Sequence, residues 1–303
     1  MTVPPIEQPG QASAEETNLE SDAQILEFES ENLTLRGHLF APETPQTTAV
    51  VFCHGALEFQ DNWFAYARQL KAEQISAFTF DFAGHGQSEG TRNLVDLRVW
   101  AYNIRDALNF LTTQGYRRFA LVGWGLGGSA ALLAAAHDTR LACAVVLSTP
   151  VSLMPPFSER VAYGLVSLAA RVIKLFRKRP LTLSRLNELS DLRFLSEDQA
   201  NELFFTDARI QENYRAVPIP ESLDSVWLDI SRAVIKVEIP VLILHGEEDE
   251  IVPRDQSQKL ANLLGGKKKI NTFDRSAHAL HLDVDQEAVY DLTVKWIKQY
   301  LMK

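Results

Sequence analysis

The chain has 303 residues, of which 46% are hydrophobic and 23% charged, so it can bury a large core in one big domain or two small ones. This composition excludes a disulfide-stabilised miniprotein and a wholly disordered chain. The net charge of −9 arises near the N-terminus, because residues 1–35 contain eight acids and no Lys or Arg, leaving 31 acids against 30 basic residues elsewhere. A nearly neutral body has no basic surface for phosphates, which argues against nucleic-acid binding.

The N-terminal segment, residues 1–22, is polar and acidic and contains Pro and Gly without hydrophobic periodicity. This pattern predicts a flexible leader. The segment has neither the basic start nor the apolar stretch of a signal peptide, and no run reaches the length of a membrane span. Cys53 and Cys143 lie inside apolar runs, which favours buried, inert thiols over a disulfide or a metal ligand. We therefore expect a cytoplasmic protein.

Short strands alternate with helices along the rest of the chain. The first two, QILEFES and LTLRGHLFAP, are predicted to pair antiparallel at a sheet edge. Five nearly continuous apolar runs, typical of strands buried on both faces of a parallel sheet, follow: TTAVVFCHG, SAFTFDF, RFALVGW, LACAVVLST and IPVLILHG. Amphipathic helices are predicted between them, for example over residues 94–113, and at the C-terminus. The alternation indicates an α/β fold with a doubly wound, mostly parallel sheet and functional loops at the carboxyl ends of its strands.

One interval interrupts the alternation. Residues 151–234 are predicted to form several helices and no strand, which indicates a helical cap inserted into a core of residues 23–150 and 235–303. Within it, segment 160–186 contains seven basic residues and no acid. Two interpretations stay open for this segment. Its apolar side either covers a pocket or presses into a bilayer whose anionic head groups meet the basic residues.

The sequence LVGWGLGGSA places a tight, glycine-rich turn directly between a strand and a helix. This is the context of a nucleophile elbow, G-x-S-x-G, where small residues flank the nucleophile because the turn is tight. Here Gly123 and Gly127 occupy the flanking positions, and the central position is Gly125. No dinucleotide fingerprint, phosphate loop or metal-binding cluster is present, so no cofactor and no metal are expected.

Four motifs in order carry a family resemblance: His54-Gly55-Ala56, FDFAGHGQSEG, the elbow, and HGEEDEIVP followed by SAHALHLD. Over about residues 30–300 the chain resembles the α/β-hydrolase family, in particular the monoacylglycerol lipase and lysophospholipase branch, also called the serine aminopeptidase-like group. The resemblance implies an α/β-hydrolase fold with a helical cap and a carboxylic-ester substrate, either a small molecule or a lipid.

Carried over by position, the resemblance makes Asp249 the acid and His278 the base of a catalytic triad. It makes the backbone N–H groups of Ala56 and Leu126 the oxyanion hole, which stabilises the charge of a tetrahedral intermediate. The nucleophile position falls on Gly125, which has no hydroxyl or thiol for the base to deprotonate. Weak or absent serine-dependent hydrolysis is therefore expected.

Other groups compete for these roles. Ser129 lies one helical turn past the elbow, where its hydroxyl is expected to face helix packing. The Cys53 side chain is expected to point into the core. A water molecule activated by His278 is a better candidate for the attacking group. His54 and His85 are interpreted as structural residues of glycine-containing turns.

Three functions stay open for the chain. The first is a hydrolase of monoacylglycerol-like or lysophospholipid-like esters that lacks its serine. The second is a non-catalytic protein that binds a lipid, a small molecule or a partner. The third is a cofactor-free lyase or other proton-transfer enzyme that uses His278 as its base. Contact with a membrane surface through segment 160–186 suits a lipid ester substrate.

Overall fold

The computed structural model describes residues 22–153, 157–174, 181–184 and 191–302. Of the predicted leader, only Asp22 lies within the described residues. Within these ranges ten strands are described: β1 (Gln24–Ser30), β2 (Leu33–Phe40), β3 (Thr48–Cys53), β4 (Ser76–Phe80), β5 (Arg118–Trp124), β6 (Leu141–Leu147), β7 (Leu181–Leu183), β8 (Val217–Ile219), β9 (Val241–Gly246) and β10 (Lys268–Phe273). Eight of them form one sheet in the order β1-β2-β4-β3-β5-β6-β9-β10.

The sheet is antiparallel only around β2, which pairs with β1 and β4. All other neighbours in the eight-stranded sheet are parallel. The predicted edge hairpin is confirmed, and its two-residue turn places Glu31 and Asn32 at φ of 50° and 62°. Two successive positive φ angles match the right-handed twist of the flanking strands. All residues of β4, β6 and β9 are buried, as expected for central parallel strands.

Ten α-helices are described. They are α1 (Phe64–Ala72), α2 (Leu97–Thr113), α3 (Leu126–Ala135), α4 (Phe157–Lys174), α5 (Asp198–Phe204), α6 (Ala208–Arg215), α7 (Glu221–Val226), α8 (Ser231–Val234), α9 (Asp255–Leu263) and α10 (Gln286–Tyr300). Helix α2 begins later than predicted because the Asp96 carboxylate accepts hydrogen bonds from the N–H groups of Arg98 and Val99 and so caps the helix at Leu97. Helices α2 and α3 pack against each other, and α10 packs against β6 and β9.

Helices α4 to α8 occupy the interval between β6 and β9, together with strands β7 and β8. The prediction that this interval contains no strand is wrong, because β7 and β8 pair antiparallel. Each strand has only three residues, and β8 includes Pro218, so neither shows an alternation that a sequence pattern could reveal. The basic residues Arg177, Lys178, Arg179 and Arg185 lie outside the described residues.

Candidate active site

The predicted site residues follow four strands of the same sheet. Ala56 follows β3, Gly125 follows β5, Asp249 follows β9 and His278 follows β10. These four strands run parallel, so their carboxyl ends lie at one edge of the sheet. The fold therefore gathers residues that are up to 222 positions apart in the sequence.

Gly125 forms the tight turn between β5 and α3. Its φ is 55° and its ψ is −125°, a combination that costs a residue with a side chain about 1–3 kcal/mol. The N–H of Gly125 donates to the carbonyl of Leu147 on β6 at 2.9 Å. A Cβ placed on Gly125 would lie 3.5 Å from Nε2 of His278. A side chain at this position would thus point directly at the predicted base.

His278 and Asp249 form a hydrogen-bonded pair. His278 Nδ1 lies 2.9 Å from Oδ2 of Asp249, and the His278 side chain is almost completely buried. Because a carboxylate only accepts, the ring nitrogen Nδ1 carries the proton and donates it to this bond. In the neutral ring, Nε2 then keeps a free electron pair on the side that faces Gly125. This is the tautomer that a general base needs.

Asp249 is held in place by its own loop. Its Oδ1 accepts hydrogen bonds from the N–H groups of Ile251 and Val252, both at 2.9 Å. Burial alone would raise the pKa of Asp249, but the charge and hydrogen bond of His278 and the backbone donor of Val252 together lower it. Behind it lies His245, whose pKa is lowered by burial. Asp249 therefore stays ionised at neutral pH.

The two predicted oxyanion donors lie on segments that touch. A Cβ on Gly127 would lie 2.1 Å from the carbonyl oxygen of His54, so only glycine lets the start of α3 approach the loop after β3 this closely. This approach sets Leu126 beside the loop that contains Ala56. Leu126 is the first residue of α3, where a backbone N–H has no partner inside the helix. Such a donor is free to stabilise an anion.

The alternative nucleophiles are buried, and one of them is hydrogen-bonded elsewhere. Ser129 is buried, and its hydroxyl donates to the carbonyl of Pro150 at 2.7 Å. Cys53 is fully buried, and burial raises the pKa of its thiol. Cys143 is also buried and unbonded. None of these three groups offers a nucleophile at the elbow.

The two other histidines of the predicted turns have structural partners. His54 accepts a hydrogen bond at Nε2 from the N–H of Phe82, and its Nδ1 contacts the carbonyl of Gly55. Burial lowers the pKa of His54 to about 4 and, with the nearby His54 ring, lowers the pKa of His85 to about 3. Both rings are neutral at pH 7, in agreement with a structural role.

Residues 193–196, the strap, join the loops of the predicted acid and base. The Arg193 guanidinium donates to Glu248 at 2.7 Å beside Asp249. The carbonyl of Phe194 accepts from the N–H of Ala279 at 2.8 Å, and its ring meets the His278 ring edge to face at 5.4 Å. These contacts tie the strap to the loop after β9 and to the loop that contains His278. The strap has no sequence signal, because it lies in irregular structure.

Asp283 completes this support. Its carboxylate accepts from the N–H of Ala277 at 2.7 Å and from the hydroxyl of Ser196 at 2.6 Å. The indole N–H of Trp124 donates to the carbonyl of His278 at 2.9 Å. Neither Asp283 nor Trp124 has a role that is predictable from the sequence, although they lie inside the motifs SAHALHLD and LVGWGLGGSA. The hydrogen bonds of Asp283 and Trp124 fix the backbone of Ala277 and His278, and so position the predicted base.

Helix α6 holds the loop after β3. The hydroxyl of Tyr214 donates to Glu58 at 2.9 Å, and the Asn213 amide donates to the carbonyl of Leu57 at 2.8 Å. Leu57 has a φ of 65°, an uncommon conformation for a side chain of its size. Glu58 also accepts from Asn62 at 3.0 Å. The loop with the predicted oxyanion donor Ala56 is thus fixed by residues from a segment about 150 positions away.

Burial raises the pKa of the Glu58 carboxyl to about 8, helped by the negative charges of Asp61 and Asp207. The pKa of Glu58 is higher in the folded chain than in the unfolded chain. The protonated carboxyl therefore stabilises the fold fully below about pH 4.5, and this stabilisation is lost as the pH rises to about 8. As the pH rises through this interval, the free energy of unfolding should fall by about 1.4 kcal/mol per pH unit, and Glu58→Gln should abolish this fall. Urea unfolding at several pH values measures this difference.

The matched control for this prediction is Glu43→Gln, since Glu43 is exposed. Its unfolding free energy should follow that of the unmodified chain at every pH. If Glu58→Gln also keeps the original pH dependence, Glu58 is ionised in the folded protein and the prediction is wrong.

Neither of two other kinds of site, a metal centre or a surface groove, coincides with the predicted site residues. In the described part of the chain, no group of three or more His, Cys, Asp or Glu side chains could hold a metal ion. A groove of about 520 Å³ lies between the β1–β2 turn, the loop after β4 and the start of α2. None of the predicted site residues lines this groove. The chemistry-bearing groups therefore gather at the carboxyl edge of the sheet and not in that groove.

Comparison with known proteins gives the same assignment of fold. The sequence profile of the family described as serine aminopeptidase, S33, matches residues 44–285. Monoglyceride lipase of Homo sapiens is 28% identical over 262 residues, which cover 83% of this chain and 82% of that protein.

Among solved structures, the DcsB complex with its substrate analogue superposes with a TM-score of 0.80 at 18% identity, covering 93% of this chain and 100% of that one. Monoacylglycerol lipase of Paleococcus ferrophilus superposes with a TM-score of 0.69 at 21% identity, covering 86% and 97%. These two likenesses concern the fold.

Proposed function

Because the chain belongs to the serine aminopeptidase (S33) family of α/β hydrolases, we propose that it carries the ester-binding and acid–base machinery of a monoglyceride lipase without the serine. In this proposal Asp249 and His278 are the acid and the base, and the N–H groups of Ala56 and Leu126 form the oxyanion hole. Gly125 occupies the nucleophile position. Serine-dependent turnover of the chain as it stands is weak or absent.

The observation that carries this proposal is the geometry around Gly125. The turn keeps the backbone angles of a strained elbow, and His278 Nε2 lies within 3.5 Å of the place where a Cβ would be. A protein that used this region only for binding would have no need for an acid–base pair aimed at an empty position. The proposal therefore favours retained acid–base chemistry over a purely structural role for His278.

The proposed substrates are monoacylglycerol-like or lysophospholipid-like esters. Similarity to human monoglyceride lipase over most of both chains supports this substrate class. The test compares hydrolysis of a monoacylglycerol and of short and long p-nitrophenyl esters by the unmodified chain and by Gly125→Ser. Ester hydrolysis by the serine variant supports the proposal. A folded serine variant without activity would instead favour a non-catalytic binding protein.

We further propose that residues 151–234 act as a helical cap that touches a membrane surface in the cytoplasm. Ser167 and Ala170 of helix α4 are buried, and Tyr163 and Arg171 of the same helix donate hydrogen bonds to Pro220 and Asp224. Its outward side is apolar and exposed: Val161, Ala162, Leu165, Val166, Leu168, Ala169, Val172 and Ile173. No helix in the described ranges is both long and apolar enough to span a membrane. A helix with one apolar side, such as α4, can instead lie in the plane between lipid head groups and acyl chains.

We expect the chain to bind vesicles that contain anionic lipids. The double variant Leu165→Ser/Leu168→Ser should bind them at least about tenfold more weakly. These two leucines are 67% and 61% exposed, and full immersion of one such side chain is worth about 1.5–3 kcal/mol. Co-sedimentation with vesicles measures the effect. Ile235→Ser is the matched control, because Ile235 is an exposed apolar residue outside α4. Equal vesicle binding by the unmodified chain, the double variant and the control would contradict insertion of α4.

A further inference from the structure

Gly125 leaves open space in front of the His278 ring. Apart from its chain neighbours, a Cβ at this position would have Nε2 and Cε1 of His278 within 4 Å, at 3.5 and 3.8 Å. A hydroxyl oxygen one bond beyond that Cβ can reach hydrogen-bonding distance of Nε2. The space that the glycine leaves open therefore has room for one carbon and one oxygen, the heavy atoms of methanol.

The groups around this space can activate such a molecule. The bond from His278 Nδ1 to Asp249 leaves Nε2 as an acceptor that faces the space. The Ser129 hydroxyl is bonded to the carbonyl of Pro150 and Cys53 is fully buried, so neither group is placed to compete for Nε2. His278 is only 6% exposed, which favours small molecules over bulky ones.

We infer that the chain is a direct acyltransferase, in which a small alcohol occupies the space beside Gly125 and attacks the ester in place of the serine. The inference rests on the proposed function, because it needs the same ester site, acid, base and oxyanion hole. It goes further by naming the acceptor class, a small primary alcohol. It also replaces two steps through an acyl-enzyme by one direct transfer.

The step conserves atoms and electrons. His278 Nε2 takes the proton of the acceptor alcohol while its oxygen bonds to the ester carbonyl carbon. The charge that develops on the carbonyl oxygen is stabilised by the N–H groups of Ala56 and Leu126. When the intermediate collapses, the bond to the leaving oxygen breaks and that oxygen takes the proton from His278. The products are a new ester and the alcohol released from the old one.

The test measures p-nitrophenol release from p-nitrophenyl butyrate by the full chain as methanol is increased, together with the methyl butyrate formed. The expected result is a rise of about tenfold or more, well within the range for general-base catalysis, with methyl butyrate accounting for the added turnover. The bulky tert-butanol should have no such effect. Gly125→Ala should abolish the methanol response, because its Cβ fills the space while leaving His278 in place.

The outcomes separate the two proposals. If Gly125→Ser hydrolyses esters but methanol neither accelerates the unmodified chain nor yields methyl butyrate, the acceptor inference is wrong and the proposed function stands. If Gly125→Ser is folded but inactive, the proposed function is wrong and the inference fails with it. Methyl ester formation that persists in Gly125→Ala or in His278→Ala would also overturn the inference, because the alcohol would then be activated elsewhere.

Discussion

Gly125→Ser should raise the rate of ester hydrolysis by about 10³-fold or more over the unmodified chain, since loss of a triad nucleophile commonly costs at least this factor. The serine Cβ would lie 3.5 Å from His278 Nε2, with no closer contact to displace. Its hydroxyl would therefore meet a base that Asp249 already orients. Turnover of a monoacylglycerol and labelling by a fluorophosphonate measure the gain.

The control for this variant is Gly125→Ala, which adds the same Cβ at a φ of 55° without the hydroxyl. Both substitutions should lower the free energy of unfolding by about 1–3 kcal/mol, because the elbow conformation strains any residue with a side chain. Only the serine variant should gain activity and label. Equal activity of the two variants, or labelling that persists in Gly125→Ser/His278→Ala, would show that the serine is not activated by His278.

The sequence predicted the fold well, because the central strands of the sheet are buried on both faces. The runs that contain Val50, Ala120 and Val145 are apolar for nearly their full length, and each became a central strand. The resemblance to the α/β-hydrolase family is confirmed by the family comparison. The order of the sheet then brings Gly125, Asp249 and His278 together, whereas their catalytic roles stay predictions.

The support around the site could not be predicted, because it depends on contacts between distant, irregular segments. Phe194 reaches His278 from a stretch without periodicity, and Tyr214 reaches Glu58 across 156 positions. Nothing in local sequence marks a glutamate as buried and protonated, since its pKa depends on the tertiary surroundings. Short strands such as Leu181–Leu183 were missed for a related reason. Their pairing is set by tertiary structure and not by their own pattern.

In the Gly125→Ser background, Asp249→Asn should lower kcat by a factor of about 10⁴, the effect typical of this change in serine hydrolases. The N–H groups of Ile251 and Val252 both donate to Oδ1 of Asp249. An asparagine must therefore turn its carbonyl oxygen toward these donors and its amide nitrogen toward His278. His278 Nδ1 then becomes an acceptor, Nε2 carries the proton, and the ring can no longer deprotonate the serine.

The matched control in that background is Glu247→Gln on the same loop. Glu247 pairs with Arg254 at 2.7 Å, and the arginine of this pair is largely exposed, where an ion pair contributes about 0–1 kcal/mol. Its loss should leave the pH profile and kcat nearly unchanged. If Asp249→Asn instead keeps kcat within about tenfold while remaining folded, the tautomer of His278 is not set by Asp249. The base would then need another orienting group, and His245, 3.7 Å from the same carboxylate oxygen, would be the residue to replace next.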